Sequence, residues 1–85
     1  MIIELEKPTV MSIDYNQILL FKTNIRSEDD KKCIEPILNS HKKISEWNVD
    51  TEDVDCVLRI VSHSLTHDHI ISEIKKLGFQ CNELI

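Results

Sequence analysis

The chain has 85 residues, of which 41% are hydrophobic and 29% charged, and its formal net charge is −5. A chain of this length forms one small domain, and the scattered bases among more numerous acids argue against a nucleic-acid-binding surface. No apolar run approaches the roughly 20 residues that cross a bilayer, so no membrane partner is expected.

Residues 1–16 form a weakly patterned lead-in, expected to be either flexible or an extra strand, and residues 17–85 form the domain. The first residues have neither a basic leader nor an apolar core of signal-peptide length. The three cysteines are odd in number and widely spaced, which suits reduced thiols better than a disulfide framework. We therefore expect a cytoplasmic protein in which Cys33, Cys56 and Cys81 are packed thiols.

The first half of the domain predicts a strand and a helix. The segment 18–25 is short and mostly apolar and contains an aromatic residue, which is typical of a strand. The segment from Ser27 to about Ser40 places Ile34, Ile37 and Leu38 on one helical stripe. Pro36 falls inside this segment, so we expect a bend or loosening near residues 32–36 but not the end of the helix.

The second half predicts two strands, a helix and a last strand. Residues 44–50 and 54–61 alternate as strands around a turn at 51–53. Thr66 is a good N-cap for a helix over residues 67–77, Gly78 supplies its C-terminal stop, and residues 79–84 form the last strand.

This order predicts an α+β, ferredoxin-like βαββαβ sandwich, a four-stranded antiparallel sheet with two helices on one face. The other sheet face would then mix apolar and polar side chains: Ile18, Leu20, Val57 and Val61 with Lys22, Arg59, Glu46 and Asn48. That face is either solvated, covered by the lead-in, or the surface of a homodimer.

The stretch from Thr23 to Asn39 resembles the signature of the heavy-metal-associated (HMA) domains, and the likeness covers roughly residues 17–85 through element order and the closing Gly78-Phe79. In that family the loop carries Met-x-Cys-x-x-Cys, whose thiolates bind a soft ion such as copper(I), or zinc or cadmium in some members. On that motif Ile25 takes the place of the Met, Ser27 and Asp30 those of the two cysteines, and Phe79 that of the aromatic beside the loop.

This departure from the family pattern removes the expected metal chemistry. A hydroxyl and a single carboxylate do not replace a thiolate pair for a soft cation, so we expect no bound metal or cofactor. The spacing Ser27-x-x-Asp30 closely resembles a capping box instead.

The topology places the first strand–helix loop, the hairpin and the second helix–strand turn at one end of the molecule. We expect this end to be acidic, either as solvated charge or as a docking surface for a basic protein, with partner-binding candidates Glu28, Asp29, Asp30, Asp50, Glu52, Asp53 and Phe79, and with Asp55 nearby. Specific binding of a hard cation is disfavoured because the hairpin lacks the glycine of a calcium loop.

The opposite end is expected to gather His41, His63, His67 and His69. Histidines on a surface loop are the simpler interpretation, and a zinc or nickel site of His41, His67 and His69 is the alternative.

Neither a Gly-rich phosphate loop nor a Gly-x-Ser-x-Gly elbow is present in the sequence, so we expect no enzyme. Our first hypothesis is a small binding or interaction module on an HMA-like scaffold that lacks the soft-metal site. The alternatives are a metal-ion-handling protein, copper-chaperone-like or for zinc or nickel, with weak or altered binding, and a small-molecule regulatory domain of ferredoxin-like fold.

Overall fold

The computed structural model describes residues 17–84, so the predicted lead-in over residues 1–16 lies outside the described residues. The elements in chain order are β1 (Gln17–Thr23), α1 (Glu28–Ser40), β2 (Glu46–Asp50), β3 (Val57–Ser62), α2 (His67–Lys76) and β4 (Cys81–Glu83). The predicted α+β class, with a four-stranded antiparallel sheet and two helices, is confirmed. Neither of these two helices is long and apolar enough to cross a membrane.

The strands lie in the order β2-β3-β1-β4, and each neighbouring pair is antiparallel. β1 lies in the middle, with Leu19 opposite Ile60 of β3 and Thr23 opposite Cys81 of β4. Because successive side chains alternate between faces, this register gathers the buried residues of all four strands on one side of the sheet.

Both helices contribute to the same core as that sheet face. Ile34 and Leu38 of α1 and Ile70 and Ile74 of α2 are buried together with the inward strand residues. Within residues 17–84 the core cluster consists of Leu19, Phe21, Ile25, Ile34, Leu38, Val49, Leu58, Ile60, Leu65, Ile70, Ile74 and Cys81. This architecture is compatible with a ferredoxin-like fold.

The strands are shorter than predicted, and the β2–β3 turn explains the largest difference. β3 begins at Val57 and not at residue 54, because carboxylates draw the preceding residues into a turn. Asp50 Oδ1 accepts from the Glu52 N–H at 3.1 Å, and Asp53 Oδ1 accepts from the Asp55 N–H at 2.8 Å. Such side-chain bonds to the backbone compete with strand pairing.

The helix ends follow the predicted signals. The Thr66 side chain accepts from the His69 N–H at 3.2 Å, and Gly78 adopts the left-handed φ of 95° that ends α2. α1 continues through Pro36, which is exposed. Proline has no N–H for the carbonyl four residues earlier, so this turn lacks one hydrogen bond.

The prediction that all three cysteines are packed is wrong for Cys33, which is exposed. Cys33 lies about 100° around the helix from Ile34, whose side chain faces the core, and so points toward solvent. Cys56 and Cys81 are buried, and all three thiols are free. Thr23 separates the two buried cysteines, because it pairs with Cys81 and donates to the Cys56 carbonyl.

The outer sheet face carries the predicted mixture. Ile18 is 55% exposed and Leu20 37% exposed, whereas Leu19 between them is buried. Beside them Arg59 lies 3.4 Å from the Glu46 carboxylate. Charged and apolar side chains therefore share this face.

Candidate functional site

Three loops meet at one end of the sheet, which we call the loop end: residues 24–27, 51–56 and 77–80. Backbone contacts hold them together. The Thr23 N–H donates to the Asp55 carbonyl at 3.0 Å, and the Gln80 N–H donates to Asn24 Oδ1 at 2.8 Å. Segments far apart in the chain are thus fixed side by side.

An open groove of about 230 Å³ lies between these loops. β1 and the loop after it, the β2–β3 turn and β4 each contribute side chains. The loop-end groove is lined by Lys22, Thr23, Arg26, Val54, Asp55, Gln80 and Asn82. Val54 is 90% exposed and is the most exposed large hydrophobic residue among residues 17–84.

Thr23 anchors the floor of the loop-end groove. Its hydroxyl donates to the Cys56 carbonyl at 2.6 Å and accepts from the Ile25 N–H at 3.1 Å. Thr23 is only 7% exposed, so these bonds are shielded from water. Sequence patterning missed this role, because a threonine at the end of a strand looks the same whether or not its hydroxyl bridges two loops.

Ser27 and Asp30, which the sequence resemblance aligns with two cysteines, lie at the N-terminal end of α1. Ser27 Oγ accepts from the Asp30 N–H at 3.1 Å, as the capping-box prediction requires. The Asp30 carboxylate accepts from the Arg26 N–H at 3.0 Å, one residue before the N-cap. Both side chains therefore satisfy amides that the helix start would otherwise leave open. Ile25, in the place of the family's Met, is fully buried.

The remaining carboxylates divide into engaged and exposed groups. Asp50 and Asp53 cap the β2–β3 turn. Glu28 lies 3.2 Å from Lys31 in an exposed pair of small energetic value. Asp29 and Glu52 are exposed and enter no ion pair among residues 17–84.

The loop-end groove itself is not acidic. It contains Lys22 and Arg26 against the single carboxylate of Asp55, which lies 3.9 Å from Lys22. The sequence interpretation missed these two cations because each stands alone in the chain. Register places Lys22 beside Asn82, which adds an amide to the lining.

Phe79 packs against the core and does not belong to the groove lining. Its N–H donates to the Ile74 carbonyl at 3.4 Å, within the turn that follows α2. Its role in the described structure is therefore packing.

At the opposite end, the histidine end, the structure brings together two of the three predicted ligands. His41 Nε2 lies 3.2 Å from His69 Nε2, and the rings meet nearly edge to face. His67 does not join them, because its ring packs on Phe21 and its Nε2 lies 3.7 Å from the Glu83 carboxylate. Within residues 17–84 no three His, Cys, Asp or Glu side chains form a group that could hold a metal ion.

The Cys81 thiol has low chemical reactivity. Burial raises the pKa of Cys81 to about 11, although the positive charge of Lys75 acts in the opposite direction. Because the thiolate is the nucleophile and the metal ligand, this thiol is unreactive at neutral pH.

Comparison with protein-family models gives no match to the chain, and no curated protein matches its sequence. The loop-end groove and the histidine pair are therefore judged on their own geometry.

Proposed function

We propose that the protein is a small non-enzymatic interaction module of ferredoxin-like, HMA-like type that has no soft-metal site and docks a basic protein surface at its loop end. The observation that carries this proposal is the convergence of three loops on one open groove with exposed carboxylates around it. Free cysteines suit the cytoplasmic location that we propose with it.

The capping geometry supports the loss of the metal site. The oxygen atoms of Ser27 and Asp30 already accept backbone N–H groups. A soft ion prefers thiolates, and these hard oxygens would have to abandon a helix cap to reach it. The proposal therefore includes no cofactor.

The charges around the groove indicate which charged groups the partner's surface should carry. Asp29 and Glu52 are exposed and have no structural partner among the described residues, so they are available to lysines or arginines. Arg26 and Lys22 inside the groove suit acceptor groups, such as backbone carbonyls or one carboxylate of the same partner. A surface with both signs of charge in fixed places favours one docking orientation.

The first experiment identifies the partner through the most exposed groove residue. A photo-crosslinking amino acid replaces Val54 in the full chain, and the same substitution at Glu35, an exposed position on α1, serves as the control. We expect a protein crosslinked from position 54 and not from position 35. Equal crosslinking from both positions would argue against docking at the loop end.

The second experiment measures the affinity of that purified partner after charge reversal. Asp29→Lys with Glu52→Lys reverses two exposed carboxylates at the loop end, and Asp68→Lys with Glu35→Lys reverses two exposed carboxylates on the helices away from it as the matched control. We expect roughly tenfold or greater weakening for the loop-end variant, and a salt-dependent affinity for the unchanged protein. An equal loss for Asp68→Lys with Glu35→Lys would contradict the proposal.

A homodimer through the outer sheet face is the second partner that an observation favours, because Ile18 and Leu20 are exposed there. Light scattering over a wide concentration range measures the molar mass and so tests whether the outer sheet face forms a dimer, which docking at the loop end does not require. A dimer that Leu20→Glu dissociates would support the outer face, and a monomer at high concentration would remove it.

A further inference from the structure

The histidine end joins the two helices through one contact between imidazole nitrogens. His41 follows α1 as its C-cap residue, and His69 lies in the first turn of α2. Their Nε2 atoms are 3.2 Å apart, which is hydrogen-bond distance. One Nε2 atom must therefore carry a proton and the other must accept it.

A second hydrogen bond decides which nitrogen is the donor. The Lys43 N–H donates to His41 Nδ1 at 3.2 Å, so that Nδ1 is an acceptor. A neutral imidazole has one protonated nitrogen, which in His41 is then Nε2. His41 Nε2–H donates to His69 Nε2, and the proton of His69 consequently lies on Nδ1.

The same assignment disfavours a metal ion between the rings. Zinc would need an unprotonated Nε2 on both histidines. His41 would then carry its proton on Nδ1, directly facing the Lys43 N–H. The local backbone thus favours a hydrogen-bonded pair over a two-histidine metal site.

We propose that His41 and His69 form a proton-controlled clasp between the end of α1 and the start of α2. One added proton on His41 Nδ1 displaces the Lys43 N–H but preserves the Nε2–H···Nε2 bond, which becomes charge-assisted. A second proton on His69 places two N–H groups face to face, and the clasp opens.

Charged and titratable groups flank both histidines of the clasp. Lys42 and Lys43 follow His41 in the connection to β2, and His63 lies in the loop before α2. His67 and Asp68 precede His69 on α2, and Glu73 lies one turn after it on the same helix face. None of the ion pairs within residues 17–84 includes His41 or His69. This inference is independent of the loop-end groove, which lies at the opposite end of the strands.

Nitrogen-15 NMR of the unmodified protein tests the proton assignment without any substitution. At pH 8 we expect the Nε2–H form of His41 and the Nδ1–H form of His69. Once added acid has protonated both rings, we expect the signals of residues 41–45 to shift. A Nδ1–H form of His41 at pH 8 would overturn the proposal.

A double-mutant cycle of His41→Ala and His69→Ala tests the clasp itself. We expect about a two- to fivefold coupling in the unfolding equilibrium constant at pH 8, and almost none once NMR shows both rings doubly protonated. The pair His63→Ala and His69→Ala is the matched control and should show no coupling under either condition. No coupling of His41 with His69 at pH 8 would overturn the clasp, as would micromolar zinc binding that requires both residues.

Discussion

The Thr23 hydroxyl donates a 2.6 Å hydrogen bond to the carbonyl of Cys56, a residue 33 positions later in the chain. Cys56 adopts a φ of 45°, in the left-handed region that non-glycine residues rarely occupy. One buried hydroxyl therefore holds a strained residue of the β2–β3 turn against the end of β1. This contact fixes two of the three loops that form the groove.

Thr23→Val should destabilise the protein by about 1–3 kcal/mol, because the Cys56 carbonyl and the Ile25 N–H lose their buried partner. Urea unfolding measures the change. Thr23→Ser keeps the hydroxyl and is the control, with an expected loss of about 1 kcal/mol for the missing methyl group. A loss for Thr23→Val that is smaller than the loss for Thr23→Ser would show that the methyl group contributes more than the two hydrogen bonds.

Ser27→Ala should lower the free energy of unfolding by about 1 kcal/mol, because the Asp30 N–H loses its acceptor at the start of α1. Ser27→Asp restores an acceptor and should retain nearly the full stability. Thermal unfolding monitored by circular dichroism compares the two variants. A neutral Ser27→Ala would mean that the Asp30 carboxylate is sufficient as a cap.

The double substitution Ser27→Cys with Asp30→Cys tests the HMA resemblance. It places two thiols at the N-cap and in the first turn of α1, in the family's spacing. We expect the variant to gain tight copper(I) binding, measured against a competing chelator, and the unchanged protein to show little. Sub-micromolar affinity of the unchanged protein that survives Cys33→Ser would refute the loss of the site.

The three thiols should differ in reactivity toward a disulfide reagent. Cys33 is exposed and should react rapidly, whereas Cys56 and Cys81 are buried and should react only as the protein opens. Cys33→Ser should remove the fast phase and leave the slow ones. A fast phase that remains in Cys33→Ser would contradict the described packing.

Alkaline pH should destabilise the fold through Cys81. Burial raises the pKa of this thiol from 9.0 to about 11, so the folded state retains a proton that the unfolded chain loses. The contribution is present below pH 9 and is lost as the pH rises to 11. Denaturant unfolding between these limits should show a fall in stability that Cys81→Ala reduces and Cys33→Ser leaves unchanged.

Local chemical signals account for what the sequence predicted well. Ser27, Thr66 and Gly78 act on amides or backbone angles within a few residues of themselves, and the structure places helix ends at all three. The alternation of inward and outward side chains along β3 was likewise predictable, because every second residue from Leu58 to Ser62 is buried.

Relationships between distant segments account for what the sequence did not predict. Lys22 and Arg26 line one groove only because β1 lies beside the β2–β3 turn and β4. The β2–β3 turn extends further than the predicted residues 51–53, since Asp53 binds the Asp55 N–H where strand pairing was expected. The meeting of His41 and His69 at one end was predicted, but the separation of His67 from them was not, because it depends on the packing of His67 against Phe21 of a distant strand.

β4 is short, so we expect it to detach from β1 without unfolding of the rest of the sheet. Only three residues pair with β1, flanked by the Gln80 bond to Asn24 and the Leu84 N–H bond to the Leu20 carbonyl. Short, peripheral pairings of this kind open at lower free energy than a central strand does. Cys81 is the first residue of β4 and its side chain is buried, so its alkylation rate measures how often this single strand detaches from the sheet.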